Sequence, residues 1–197
     1  KLSEIAARHL RNATDPELQS RLHRVRGDVL ARQGNGKEGR AAYELAARSL
    51  KDRRNEIAQN AWRGAHSRSV EAHLRDGALD AARQELDLWL AEFPADKVEG
   101  YLSLLQAKYW IARKAWAPAA AVASDLLTVN AASPYADQLV HLAAQCEQQL
   151  GHSDRAVATY RSLLTDYPGS PLVDAAKKEL ARLEAGDTST NRSKKPK

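Results

Sequence analysis

Asp125-Leu-Leu-Thr-Val-Asn-Ala-Ala-Ser-Pro-Tyr-Ala-Asp137 and Ser162-Leu-Leu-Thr-Asp-Tyr-Pro-Gly-Ser-Pro-Leu-Val-Asp174 align without a gap. Six of the thirteen positions are identical: Leu126/Leu163, Leu127/Leu164, Thr128/Thr165, Ser133/Ser170, Pro134/Pro171 and Asp137/Asp174. The offset is 37 residues, and a fixed period of that size marks a repeat architecture. The same offset carries Ala131 back to Pro94, which ends Leu88-Trp-Leu-Ala-Glu-Phe-Pro94. A more distant copy precedes it, displaced by 43 residues from Gly77 to Gly34.

Working outward, each unit reads as helix, turn, helix. Asp15-Pro16-Glu17 opens the first: a capping Asp, Pro in the first turn and an acid at the positive dipole end. Gly34-Asn35-Gly36 breaks this first pair, Asp76-Gly77 the second, Lys114–Pro118 the third and Gly151-His152-Ser153-Asp154 the fourth, with Ser153 or Asp154 as the cap of the helix that follows. The expected organisation is an N-terminal helical cap over 1–14, repeats over 15–54, 55–95, 96–133 and 134–170, a closing helix over 171–185, and a disordered basic tail over 186–197. Leu172, Ala176, Leu180 and Leu183 fall on one face of that closing helix.

Composition supports an all-α chain. Alanine, leucine, arginine and glutamine are abundant and favour helix, while a single Phe and little Val or Ile leave a sheet poorly supplied. At 43% hydrophobic residues, a packed core is attainable. No apolar run reaches the ~18 residues of a membrane span. The chain starts at Lys1 and has no methionine, so a domain cut from a longer protein or a processed chain is expected, and the compartment is left open. Cys146, the single cysteine, excludes an internal disulfide and reads as a packed core residue.

The units resemble tetratricopeptide repeats. The family pattern of small residues, a turn Gly, an aromatic and a closing Pro matches Ala144, Gly151, Ala156, Tyr160 and Pro168 in the fourth unit. In the first unit Gly27, Leu30, Gly34, Gly39, Tyr43 and Ala46 match it. Gly77, Ala82 and Pro94 match in the second, Ala107, Trp110 and Ala119 in the third, which lacks both the turn Gly and the final Pro. The ending Tyr160-Arg-Ser-Leu-Leu-Thr-Asp-Tyr-Pro-Gly-Ser-Pro171 is similar to bacterial envelope members of the family. The resemblance implies a right-handed α-α superhelix of about four helix hairpins plus a closing C-terminal helix. It implies a non-catalytic scaffold that holds a peptide or protein segment on its concave wall, in an envelope or other multiprotein assembly.

Carried over by register, that wall consists of Arg21, Arg24, Asp28 and Arg32; Ser67, Glu71, Leu74 and Arg75; Tyr101, Leu104, Lys108 and Ile111; and Gln138, His141, Gln145 and Gln148. The residues singled out for ligand binding are Arg21, Arg24, Arg32, Glu71, Arg75, Tyr101, Lys108, His141 and Gln145. Arginine's planar fork suits carboxylates, so an acidic partner is the natural one. The carboxylate clamp of the family's chaperone-binding members is not carried over, because Asp28 would repel a carboxylate.

Nothing spells catalysis or a cofactor site. Gly34-Asn-Gly-Lys-Glu-Gly39 reads GxGxxG, but helical patterns flank it where a dinucleotide site needs a preceding strand. His66 and His73, seven apart, share a helix face but lie too far apart to chelate one ion, and no HExxH or GxSxG occurs. No metal and no cofactor is expected. Net charge is +6 over 1–54, −4 over 55–99, zero over 100–150 and +3 over 151–197. The acidic middle interrupts any basic stripe and argues against the rival of a nucleic-acid-binding array. A regulatory module of a larger enzyme or secretion machine is the other rival. Trp62, Trp89, Trp110 and Trp116 are expected in helix packing.

Overall fold

A computed structural model describes residues 2–49 and 56–192, and these form helices joined by short turns, with no strand among them. The chain divides into two compact units, residues 1–94 and 95–197. No helix among the described residues is long and apolar enough to cross a membrane.

The first unit holds α1 (Leu2–Leu10), α2 (Pro16–Arg32), α3 (Gly36–Arg48), α4 (Glu56–Arg75) and α5 (Leu79–Glu92), each packed on the next in sequence, with α2 also against α4. Asp15 caps α2 as expected: its carboxylate accepts from Glu17 N (3.3 Å) and Leu18 N (3.2 Å), and Pro16 takes the first helical position. The pairing of α2 and α3 is close. Tyr43 is fully buried against Gly27, where any Cβ would collide with the phenol ring. A Cβ on Gly39 would press on the α2 backbone at Ala31 N, 3.2 Å away. These glycines let the two helices approach with one aromatic ring between them.

The second unit holds α6 (Asp96–Glu99), α7 (Tyr101–Ala112), α8 (Trp116–Val129), α9 (Ala136–Gln149), α10 (Ser153–Asp166) and α11 (Val173–Arg192). Neighbours pack in order from α7 to α11, and α7 also meets α9. Leu104, Ala107, Ala123, Leu126, Leu139 and Ala143 form one core, and Val140, Ala144, Tyr160, Leu163 and Ala176 another, which Leu172 and, from α11, Leu180 and Leu183 cover. Cys146 packs with Ala119 and Ala120 beneath Trp110, Ile111 and Trp116, and burial pushes its thiol up to about 11.

The repeat is written into the backbone. Gly77, Lys114 and Gly151, spaced by 37, all take left-handed φ (71°, 56° and 76°). The next residue's N–H then closes a 2.9 Å bond five residues back: Ala78 to His73, Ala115 to Trp110, His152 to Glu147, and likewise Asn35 to Leu30 after Gly34. This is the bond that completes a Schellman-type helix end. The third hairpin, which lacks the turn glycine, makes it with a lysine. The C-caps Phe93, Asn130 and Tyr167 also recur every 37 residues, with φ/ψ of −132/68, −153/75 and −128/55.

Side chains tie consecutive hairpins together at the same period. Ser133 Oγ donates to Glu99 O (2.7 Å) and Ser170 Oγ to Asp137 Oδ2 (2.5 Å). Each hydroxyl also accepts a backbone N–H two residues on, at Tyr135 and Leu172. Asn130 Nδ2 donates to Val98 O (2.9 Å), and Tyr167 OH to Ala131 O (2.9 Å).

Three expectations need correction. The helix expected from Asp96 is broken at Gly100 (φ 107°), where a Cβ would meet the Ser133 side chain. The cap of α10 is His152, with no side-chain hydrogen bond to the helix; Ser153 and Asp154 lie inside it. Finally, α11 runs to Arg192, seven residues past the expected end at 185, since no proline interrupts 172–192 and Gly186 alone does not end it. Residues 193–197 of the expected tail lie outside the described residues.

Candidate functional site

The wall residues read from the sequence have varied fates. Arg21, Arg24, Arg32, Lys108 and Gln145 are exposed. Arg75 is exposed too, but its Nη1 donates to Ala31 O (3.0 Å), securing a carbonyl at the end of α2. Glu71 is half-buried on α4. Tyr101 packs its ring 4.9 Å from Tyr135, and His141 sets its ring edgewise to Tyr160 at 5.7 Å. Burial lowers the His141 pKa below 6.5. Leu104 is a core residue, 1% exposed, which removes it from the wall: α7 turns this position toward the α8–α9 core. Asp28 accepts from Tyr43 OH (2.9 Å) on α3 and pairs with Arg68 (3.1 Å) on α4, so its charge is used between helices. The GxGxxG stretch is a helix-to-helix turn in which Gly36 begins α3.

A cleft of about 340 Å³ lies elsewhere in the first unit, among α3, α4 and α5. None of the nine residues singled out for ligand binding lines it. Its polar lining is Arg40, Glu44 and Arg48 from α3, His66 and Ser69 from α4, and Glu85 and Glu92 from α5. Tyr43, Trp62, Ala65 and Leu88 supply its remaining surface. Trp62, expected in helix packing, is half-buried and faces this cleft; Trp89 is in the core as expected.

Glu85 sits at the centre and is 4% exposed. On α5 the buried stripe is Ala82, Glu85, Leu86 and Trp89, so a carboxylate occupies an apolar position of the helix period. Its Oε1 lies 2.8 Å from His66 Nδ1, and its Oε2 lies 3.0 Å from Arg40 Nε. That Nε–H is directed at Glu44 Oε1 (3.1 Å), which leaves Glu85 Oε2 buried without a hydrogen-bond donor. Ser69 Oγ is in the same condition.

His66 is held on four sides. Its ring stacks on Trp89 (centroids 6.2 Å, 10° between planes) and meets Phe93 edge-on. Nε2 faces two competing partners, Trp62 Nε1–H at 2.8 Å and Glu92 Oε2 at 3.0 Å. An imidazole nitrogen either accepts or donates, so the two contacts belong to different protonation states. Neutral His66 accepts from Trp62; charged His66 donates to Glu92. Both states donate from Nδ1 to Glu85. Burial alone would lower this pKa, but the hydrogen bonds to Glu85 and Glu92, with their charges, outweigh it and hold His66 above its ordinary 6.5.

Ser69, His66 and Glu85 share residue types with a hydrolytic triad, but not its connections. Ser69 Oγ has no hydrogen bond to the imidazole, and Nε2 is taken up by Trp62 and Glu92. Among the described residues, no three His, Cys, Asp or Glu side chains gather as metal ligands.

The sequence did carry a signal for this cluster. At the positions of His66 and Glu85, the following hairpins place Ser103 and Val122, then Val140 and Thr159. The architecture therefore does without the ion pair twice over, and its presence once marks a departure that packing does not require. No family model matches the chain, and no curated protein is similar to it.

Proposed function

We propose that this chain is a non-catalytic interaction scaffold, a tetratricopeptide-like array of helix hairpins that holds a segment of a partner protein, with the α3–α4–α5 cleft as its principal recognition site. The observation that carries this reading is the buried His66–Glu85 pair in the cleft, set where the following hairpins place Ser103 and Val122, then Val140 and Thr159. The His66 environment supports a binding role over a catalytic one, since no hydroxyl is hydrogen-bonded to its imidazole. The exposed Arg21, Arg24 and Arg32 on α2 of the first unit and, taken by itself, Lys108 on α7 of the second are further cations suited to acidic residues of the partner.

A random-peptide display selection on the immobilised chain tests this. Enriched peptides should lose at least about tenfold in affinity against Leu88→Glu, which alters an exposed residue of the cleft. Arg24→Glu and Lys108→Glu report on these further cations, each by itself. An absence of enrichment, or peptides indifferent to all three changes, would remove the reading.

A further inference from the structure

We propose that the α3–α4–α5 cleft is a receptor for a primary ammonium group, the end of a lysine side chain on the bound segment; this rests on the reading of the cleft as a recognition site. A carboxylate buried to 4% exposure needs donors for both oxygens; Glu85 has a hydrogen bond at Oε1 only, while the Arg40 guanidinium lies 3.0 Å from Oε2 with its Nε–H turned to Glu44. Ser69, 1% exposed, likewise leaves its hydroxyl unpaired. Two other buried serine hydroxyls find carbonyls, Ser103 at Lys97 (3.0 Å) and Ser133 at Glu99 (2.7 Å). Two residues of one cleft therefore each hold a buried polar atom without a hydrogen bond, which points to a guest that supplies hydrogens.

Charge selects a cation. Glu44, Glu85 and Glu92 face Arg40 and Arg48, so with His66 neutral the lining carries one negative charge in excess. Geometry selects ammonium over guanidinium. A guanidinium gains most by gripping both oxygens of one carboxylate, but His66 already holds Oε1. An ammonium spreads three donors over separate acceptors, and Glu85 Oε2 and Ser69 Oγ are separate acceptors from different helices. Trp62, Ala65 and Leu88 provide the apolar surface along which a four-carbon stem can lie.

A cation beside Glu85 also opposes a second positive charge on His66. Glu85 and Glu92 from α5 and Trp62 from α4 itself contact that imidazole, and Arg40, Glu44 and Arg48 from α3 share the cleft with it. Guest binding therefore favours the neutral ring, with Trp62 donating to Nε2. Affinity should rise with pH through the His66 titration, because coupling between the two cations is reciprocal.

The Trp62 indole N–H resonance in an NMR titration of the intact chain reads this directly. Nα-acetyl-lysine methylamide should shift it along a saturable curve, about tenfold tighter at pH 8 than at pH 6. The Nε-acetylated probe should leave it in place, and the arginine counterpart should bind at least about fivefold more weakly. Glu85→Gln and, as a milder second variant, Ser69→Ala should each weaken the lysine probe, with the unliganded spectrum reporting that the fold is kept. Equal responses to the lysine and Nε-acetyl probes, a tighter arginine probe, or no saturable shift would each overturn the assignment. Tighter binding of cadaverine than of the lysine probe would assign the cleft to a free diamine and overturn the side-chain source. Selected peptides that occupy the cleft without lysine would sink this inference alone and leave the scaffold reading standing.

Discussion

At the scale of single residues, the informative positions break a local rule. Glu85 is a charge on an apolar stripe, and His66 is the group that makes this tolerable. Removing one partner strands the other: His66→Leu should cost about 3 kcal/mol in urea melts, whereas His66→Leu with Glu85→Leu should recover most of that loss. A double variant as unstable as the single would mean that the pair stabilises the hairpin outright. Their pH dependence follows from the raised His66 pKa. The imidazole's share of stability is complete below about 6.5, its value in the unfolded chain, and fades as pH climbs through the higher folded value. Glu85→Gln should lower that folded pKa, visible as an earlier His66 titration by NMR. Gly27 breaks a rule in the other direction, as a glycine inside a helix. Gly27→Ala should destabilise by about 1–3 kcal/mol because the Tyr43 ring occupies the space of the new methyl. Gly27 and Tyr43 were legible as a pair through the family pattern. The Glu85 site was missed although the sequence carried its signal, because the wall was sought by register with other repeats, and this cluster is where the register is abandoned.

At the scale of elements, helix ends are where the reading from sequence succeeded and failed. Asp15-Pro16 was legible because its side chain and ring act locally. The left-handed Lys114 was not, since a lysine has no intrinsic tendency to supply that φ; its conformation comes from the hairpin closing around it. Lys114→Gly should therefore stabilise the second unit by about 1 kcal/mol, whereas Gly151→Ala should cost a similar amount. Thermal melts that ranked these two the other way would contradict the shared turn geometry. The Ser-Pro pair repeated in the sequence has a clear physical role: one hydroxyl fastens a hairpin to its predecessor and accepts a backbone N–H of the next turn. Ser170→Ala should lower stability by about 1 kcal/mol and speed amide exchange at Leu172.

At the scale of the whole molecule, the all-helical class and the 37-residue period were legible, because the apolar period and the turn residues recur together. A repeat boundary at 95/96 was legible from Pro94, but not that the chain divides into two compact units there, as no linker composition announces it. Inside each unit, packing runs mainly between helices adjacent in sequence. A local lesion should accordingly stay local. Leu180→Asp should open the Tyr160–Leu163 core to hydrogen exchange in α10 while α7 keeps its protection. Cys146 has a practical corollary. The residue is 1% exposed beneath tryptophan, and burial pushes its thiol up to about 11. A second cysteine placed on the surface, at Gln145 or Arg24 for instance, would be the sole group to take a maleimide dye at neutral pH, so the molecule can carry a fluorophore at a chosen point with its native sulfur left in place.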